Sequence, residues 1–348
     1  MAKVDWAGGL APQYDYMLTE KPQDPEMRES ASMWFFDDSG EIGLPRIGIE
    51  AQGALWETHR FDANVAFQGG RVLRESRRGE TKSAIGPDGK PSILAVDGLA
   101  FQCIEPFRKW IVSYDGEAAD STVELMVREQ SDPAKRVRLK FAVTLEMAAP
   151  AWVQDNTPEK LATMTAQERT DAGLMGFGFR KEQLFLGQGW IEIDGARRPL
   201  KGRGLRIHRQ SVRPMGAFRG HCWQSAIFPD GRGFGYIAYP PLPGEDPSET
   251  YNEGYVYQDG QWYPARARKI PFLRNLMVRG DDISVELESE LGTTRIAGLS
   301  ELTTIRVGNP GTMGLTLQQG GGRYTWNGQS AYGMIERSSP AEDTTAEL

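Results

Sequence analysis

The sequence predicts an all-β protein built from two successive antiparallel β-barrels or sandwiches, and three observations support this prediction. Glycine and proline together make up about one in six of the 348 residues, a share that is high for a helix-rich protein. Asp-Gly, the strongest short-range signal for a hairpin turn, occurs at residues 88, 97, 115, 194, 230 and 259. Two sets of about eight short apolar segments also follow one another, as expected for two β units.

The first half of the chain has the pattern of an antiparallel meander. Residues 1–31 contain three prolines among polar residues and are expected to form a surface arm. In residues 137–146 every second position is apolar, which predicts a strand with one buried face and with Arg138, Lys140 and Thr144 toward solvent. The predicted strands of this half are 33–36, 47–56, 61–67, 93–96, 101–104, 110–114, 122–128 and 137–146.

A helix of about four turns is predicted near the midpoint of the chain. Thr157 can cap its N-terminus, Pro158 suits its first position, and Gly173 suits its end. Hairpin signals then resume, and strands are predicted over 177–187, 189–194, 204–212, 222–228, 234–239, 255–258, 283–288, 294–307, 314–318 and 332–336. The expected organisation is an arm (1–31), a first β-barrel domain that includes the junction helix (32–175), a second β-barrel domain (176–338) and a disordered tail (339–348).

Composition excludes several classes of protein. The formal net charge of −7 argues against a nucleic-acid partner, because phosphate binding needs a basic face. The sequence has no apolar run of the roughly 20 residues that a transmembrane segment needs. Its first residues lack the apolar core of a secretory signal, so a cytoplasmic location is expected. Cys103 and Cys222 are too few for a disulfide scaffold and are expected to be reduced thiols.

Histidine is scarce, which narrows the search for acid–base chemistry to His59, His208 and His221. His221 and Trp223 are two residues apart in a predicted strand, so their side chains are expected on one face. Arg206 and His208 form a similar pair on the preceding strand and are expected to face them across a hairpin. The alternative interpretation is that His221 is a hydrogen-bonded core histidine and Trp223 a packing residue.

Several stretches of the sequence resemble a known family. They span roughly residues 32–338 and include 107–116, 180–183, 187–195, 202–208, 221–223 and 332–337. Over these positions the chain resembles the carotenoid 1,2-hydratase/AttH-like group. The resemblance implies a fold of two lipocalin-like β-barrels in tandem. It also implies a site for a lipophilic ligand in or between the barrels.

The resemblance extends to candidate site residues. Carotenoid hydratases have a His-x-Trp pair and a downstream Tyr-x-Asp; His221 and Trp223 match the first motif, and Tyr251 with Glu253 is the loose counterpart of the second. The expected catalytic residues are His221, Trp223, Glu253 and Glu336. The expected substrate-binding residues are Arg206, His208, Tyr236 and Tyr251.

The predicted function is that of a cofactor-independent hydratase, dehydratase or isomerase acting on a lipophilic terpenoid, steroid or aromatic molecule. His221 would exchange protons with carbon, and the indole of Trp223 would stabilise positive charge that develops there. Glu253 or Glu336 would orient the imidazole or activate water. Neither a cofactor nor a metal is expected. The sequence does not indicate the oligomeric state. The alternatives are a non-catalytic carrier of a hydrophobic ligand and a purely structural role for His221 and Trp223.

Overall fold

The computed structural model describes residues 4–176, 178–213, 218–244, 250–309 and 312–348. Its architecture is all-β, as predicted. The first sheet contains β1 (Met27–Asp37), β2 (Ile42–Gln52), β3 (Thr58–Phe67), β4 (Arg71–Glu80), β5 (Ile93–Val96), β6 (Leu99–Glu105), β7 (Lys109–Thr122), β8 (Arg136–Met147), β9 (Trp152–Val153), β10 (Gly178–Ile193) and β11 (Ala196–Val212).

A closed antiparallel barrel and a two-stranded parallel ribbon complete the fold. The ribbon pairs β16 (Asn275–Leu276) with β21 (Thr345–Ala346). The closed barrel contains β12 (His221–Ile227), β13 (Gly233–Ala238), β14 (Asn252–Gln258), β15 (Gln261–Lys269), β17 (Val285–Ser289), β18 (Gly292–Asn309), β19 (Leu315–Trp326) and β20 (Gln329–Ser339).

The first sheet also curls back on itself. Its strands run in the order β4-β3-β2-β1-β11-β10-β8-β7, and β4 pairs with β7 through residues 71–74 and 119–122. β5 and β6 extend the sheet beyond β7. The predicted double lipocalin-like architecture is therefore confirmed.

The sheets divide at a different place from the predicted domains. The predicted boundary puts residues 178–212 in the second domain, whereas β10 and β11 pair with β8 and β1 in the first sheet. β1 begins at Met27, inside the predicted arm, and residues 345–346 of the predicted disordered tail form β21. Side-chain alternation identifies a strand, but its partner strand depends on long-range packing that a local pattern does not record.

Most of the Asp-Gly pairs form the predicted hairpin turns. Asp194 and Asp259, with φ of 49° and 53°, each precede a glycine with positive φ and connect β10 to β11 and β14 to β15. Both central residues are thus left-handed, as in the type I′ turns that favour Asp-Gly. There are two exceptions: Asp88 lies in the long loop between β4 and β5, which do not pair with each other as strands, and Asp115 lies inside β7 opposite Lys140 of β8. A continuous ladder with β8 prevents a turn there.

The helices are short and differ in part from the prediction. The single predicted helix is two, because Thr165 begins a second helix with a capping box to Glu168. Thr157 caps the first helix as expected. The predicted strand 122–128 is instead a helical turn. The α-helices are α1 (Val123–Val127), α2 (Pro158–Ala162) and α3 (Ala166–Met175), and 3-10 turns cover Pro12–Asp15, Gly53–Leu55 and Ala341–Asp343.

Three apolar clusters show how the two barrels are joined. One fills the first barrel around Phe35 and Trp110, and another fills the second around Phe234 and Tyr324. A third cluster lies between the barrels and includes Trp34, Leu184, Leu205, Trp223, Ile237 and Tyr255. Because neighbours along a strand point to opposite faces, β12 turns Cys222 into its barrel and Trp223 toward the other barrel.

Candidate functional site

The largest group of predicted site residues lies at a cleft between the two barrels. The cleft has a volume of about 270 Å³. One wall is the outer face of β1–β4 and β11, and the other is the outer face of β12, β13 and β18–β20. Cavities of about 430 and 500 Å³ elsewhere on the molecule contain none of the predicted site residues.

His221 is buried at the edge of this cleft with both ring nitrogens in contact with polar groups. Nδ1 is 2.7 Å from the Ser338 hydroxyl, and Nε2 is 3.3 Å from a carboxylate oxygen of Glu336. Gln319 donates a hydrogen bond of 2.6 Å to the other oxygen of Glu336. Burial alone would raise the pKa of Glu336, but His221, Arg46 and Gln319 together hold it below its ordinary value. The pair is therefore a buried imidazole beside an ionised carboxylate.

β-sheet pairing brings this pair together. Ser338 lies opposite His221, and Glu336 lies opposite Trp223, where β12 and β20 close the barrel. Cross-strand neighbours share a face, so all four side chains point toward the first barrel. The predicted grouping of His221, Trp223 and Glu336 is what the structure contains.

Trp223 contacts two groups of the first sheet. Its ring packs edge-on against Trp34 with centroids 4.8 Å apart. The Arg180 guanidinium lies 5.3 Å from its centroid, at cation–π distance. Arg180 is itself buried and ion-paired with Glu182. The indole of Trp223 therefore already has a cationic partner, Arg180, in addition to any positive charge that would develop on a substrate.

Glu253 lies on the same outer face but lines a second cavity, and Tyr251 is buried beside it in the apolar cluster between the barrels. Glu253 is opposite Ile237, which in turn is opposite Trp223, so two strand spacings separate Glu253 from Trp223. The Tyr251 hydroxyl donates to Glu253 and accepts a hydrogen bond of 2.7 Å from Gln154. Burial raises the pKa of Glu253 despite its contact with Tyr251. This cavity of about 230 Å³ is also lined by Trp152 and Lys160.

Arg206 and His208 are not in the His221 neighbourhood. Both lie on the inner face of β11: Arg206 binds Asp15 at 2.6 Å, and the Nε2 of His208 is 3.3 Å from Glu29. The predicted hairpin between their strand and that of His221 does not form, because β12 pairs with β13 and β20.

Tyr236 is the remaining predicted substrate-binding residue, and it too is outside the cleft. It points into the second barrel, where its hydroxyl lies 3.2 Å from the sulfur of Cys222. Both cysteines are free thiols, as predicted, and both are buried. Burial raises the pKa of Cys222 to about 11.

The most numerous side chains of the cleft are arginines, and none of them is among the residues predicted from the sequence. They are Arg28, Arg46, Arg60, Arg78, Arg209, Arg213 and Arg306. A signal for part of this set is present, since Ile207, Arg209, Ser211 and Arg213 alternate with the inward-facing residues of one strand. The rest come from five other strands, β1–β4 of the first sheet and β18 of the second barrel, and only the three-dimensional fold brings them together.

Within the described part of the chain, no group of three or more His, Cys, Asp or Glu side chains could hold a metal ion. The helices found among these residues are all too short or too polar to cross a membrane.

Comparison with known proteins places the chain in a family. Residues 12–341 match the family described as Domain of unknown function (DUF7064). The chain belongs to this family. No curated protein matches it significantly.

The fold of this chain is similar to that of three solved structures. The protein assigned as AttH from Nitrosomonas europaea has a TM-score of 0.57 and 12% identity, with 94% of this chain and 99% of that chain covered. CghA with Sch210972 has a TM-score of 0.51 and 11% identity, covering 90% and 89%. CghA alone has a TM-score of 0.50 and 10% identity, covering 97% of each. These likenesses confirm the predicted AttH-like fold, and a carotenoid hydratase activity stays a prediction.

Proposed function

We propose that the protein is a cofactor-independent hydratase, dehydratase or isomerase whose active site is the cleft between the two barrels. The observation that supports this best is the contact between His221 and Glu336 at that cleft. A buried imidazole and carboxylate in contact can hold and transfer one proton, which is what these reactions need.

Within the pair, Glu336 is the group in better contact with the cleft. Its side chain is 13% exposed and that of His221 is 6% exposed. With Ser338 on the other ring nitrogen, His221 is oriented to supply or remove a proton through Glu336. Glu336 would be the catalytic residue that touches substrate, and His221 its proton partner.

The chemistry balances without a cofactor. In an isomerisation, the Glu336 carboxylate removes a proton from one carbon and the pair returns a proton to another. In a hydration, the pair protonates one carbon of a double bond while water adds to the other carbon and returns its extra proton to the pair. Trp223 and Ile237 provide an apolar wall beside these atoms.

A substrate-independent experiment tests this proposal. The purified protein is incubated in D₂O with a lipid extract of its source organism, and products are compared by mass spectrometry. Wild type is expected to yield a species altered by the mass of one water, or an isomer that has gained deuterium. Glu336→Gln and His221→Ala are expected to lower its rate by about 100-fold or more.

His59→Asn removes a histidine that lies outside the cleft and is expected to retain the activity. Conversion by both cleft variants at the wild-type rate would contradict the assignment. A molecule that stays bound in native mass spectra, with its mass, isomer and deuterium content unchanged, would support the carrier instead.

A further inference from the structure

The cleft is strongly cationic although the whole protein is acidic. Its seven arginines face three carboxylates, those of Glu50, Asp62 and Glu336, which leaves an excess of four formal positive charges with His221 neutral. The chain as a whole carries −7. Positive charge is thus concentrated where the two barrels meet.

Strand pairing aligns part of this charge in one row. Arg209 lies opposite Ser30, Ser30 opposite Glu50, and Glu50 opposite Arg60. Arg78 continues the row beyond Arg60 on β4. One carboxylate therefore lies within a row of three guanidinium groups, where like charges on adjacent strands repel each other.

The cleft also has an excess of hydrogen-bond donors. Four of its buried N–H groups have no partner among the described residues: the indole N–H of Trp223 and the Nε of Arg28, Arg213 and Arg306. The one buried acceptor without a partner there is an oxygen of Gln319. Buried donors are ordinarily satisfied, so the group that complements this surface is an acceptor with negative charge.

Arg46 and Arg213 are two cations of the cleft that have little charge compensation. No carboxylate of the described residues is within ion-pair distance of Arg46, whose guanidinium lies 5.3 Å from the ring centroid of Trp34. Arg213 is 4.0 Å from Glu50. Burial lowers the pKa of Arg213, and burial with the charge of Arg213 lowers that of Arg209. An anion would remove this mutual destabilisation.

Arg46 also has a strained backbone. Its φ is 65°, in the left-handed region that favours glycine, at the irregularity where the pairing of β2 shifts. A non-glycine residue in this conformation costs about 1 kcal/mol or more, and Arg46 adopts it at a strand irregularity and not in a hairpin turn such as those of Asp194 and Asp259. In this conformation the Arg46 guanidinium lies at the cleft, over the ring of Trp34.

We propose that the cleft binds an amphipathic organic anion, with its carboxylate or phosphate held by Arg46 and Arg213 and its apolar body against Ile207, Trp223 and Ile237. This inference rests on the proposed function, because it names the substrate class of the same site. The anionic group would anchor the molecule while its apolar part lies beside Glu336. Arginine suits this task because its planar fork binds carboxylate and phosphate through two hydrogen bonds.

Titration calorimetry with four probes tests the charge requirement. Decanoate and decyl phosphate share an apolar chain with 1-decanol but add an anionic group, and inorganic phosphate has the charge without the chain. We expect decanoate or decyl phosphate to bind at least about tenfold more tightly than both 1-decanol and inorganic phosphate. The better of the two amphipathic anions identifies the headgroup.

Four variants locate the binding site. Arg46→Gln and Arg213→Gln are each expected to weaken binding of the better anion by about tenfold, whereas Arg198→Gln, which removes an exposed charge outside the cleft, is expected to leave it unchanged. Arg46→Gly is expected to weaken binding equally while keeping or raising the melting temperature, because glycine adopts positive φ without strain. That last variant separates a lost ligand contact from a damaged fold.

The outcomes distinguish this inference from the proposed function. Decanol binding as tightly as both anions, or Arg198→Gln weakening binding as much as the cleft variants, would overturn the inference whatever the catalytic result. His221→Ala is expected to retain anion affinity within about twofold, since its ring is not an anchoring group. Anion binding that survives with no turnover by wild type would support the ligand class and contradict the enzyme.

Discussion

At the residue scale, Glu336 links the cleft to pH. Its pKa is lowered in the fold, so the unfolded chain binds more protons just below the ordinary value of 4.5. Its contribution to the free energy of unfolding is therefore complete above that pH and is lost as pH falls through the lower folded pKa. We expect Glu336→Gln to lower the free energy of unfolding by about 1–3 kcal/mol at pH 7, measured by urea denaturation.

The difference between wild type and Glu336→Gln is expected to shrink as the pH of the measurement is lowered below 4.5, because the Glu336 carboxylate then gains a proton more readily in the unfolded chain than in the fold. Glu342→Gln is the matched control, since Glu342 is exposed near the C-terminus. A difference that stays constant over this pH range would show that Glu336 has no lowered pKa in the folded protein.

Asp15 is a second residue whose charge the fold depends on. It is fully buried in the first barrel, where it binds Lys181, Arg206 and the Trp110 indole N–H. Burial alone would raise the pKa of Asp15, but the two cations hold it well below its ordinary range. Asp15→Asn would leave both cations without their carboxylate, and we expect a loss of about 3–5 kcal/mol in unfolding free energy at pH 7.

Asp5→Asn serves as the control for this measurement, because Asp5 is exposed and accepts hydrogen bonds from nearby backbone groups. Equal stability of the two variants would contradict the view that Asp15 compensates a buried cation pair. Asp15 lies in the predicted arm. It is one of several acidic residues there, and nothing in the local sequence indicates that this one enters a barrel.

At the element scale, a sequence pattern identifies which residues share one face of a strand better than it identifies the strands that pair with it. His221 and Trp223 could be grouped from sequence because two residues in one strand share a face. Arg206 and His208 could not be placed correctly, because their position depends on β11 pairing with β1 and β10. The arginine-rich wall needs five strands of one sheet in register, so a local pattern could indicate only the part of it that lies on β11.

One ion pair between elements can be measured directly. Arg306 of β18 lies 2.7 Å from Asp62 of β3 and is almost fully buried, so it ties the second barrel to the first. Burial alone would raise the pKa of Asp62, but Arg306 holds it well below its ordinary range. A double-mutant cycle with Asp62→Asn and Arg306→Met is expected to give a coupling energy of at least about 1 kcal/mol.

The same cycle made with Glu286→Gln and Arg295→Met provides the comparison, because that pair lies 3.2 Å apart on neighbouring strands but is solvent-exposed. Its coupling energy is expected to be below about 0.5 kcal/mol. Equal coupling in both cycles would mean that the Arg306–Asp62 contact contributes no more than a surface pair.

At the scale of the whole molecule, the two barrels share an apolar interface that neither could leave exposed. Trp34 and Leu205 from the first sheet pack with Trp223, Ile237 and Tyr255 from the second barrel, and all are buried. The all-β class and the barrel pair were predictable because turn chemistry and alternation are local. This interface was not, because its residues resemble those of either barrel interior in type.

The shared interface predicts that the full chain unfolds in one cooperative transition. Separating the barrels would expose the Trp34–Trp223 cluster and break the Arg306–Asp62 ion pair. A state with one barrel unfolded is therefore high in free energy. Calorimetry is expected to give equal calorimetric and van't Hoff enthalpies.

Trp223→Ala, which removes a large side chain from the interface, is expected to lower the free energy of unfolding by about 3–5 kcal/mol. Because this cluster couples the two barrels, the same variant is expected to split the thermal transition in two. Two resolved transitions in the wild-type protein would show instead that the barrels are independent units, and the cleft between them would then lack the rigidity that its chemistry requires.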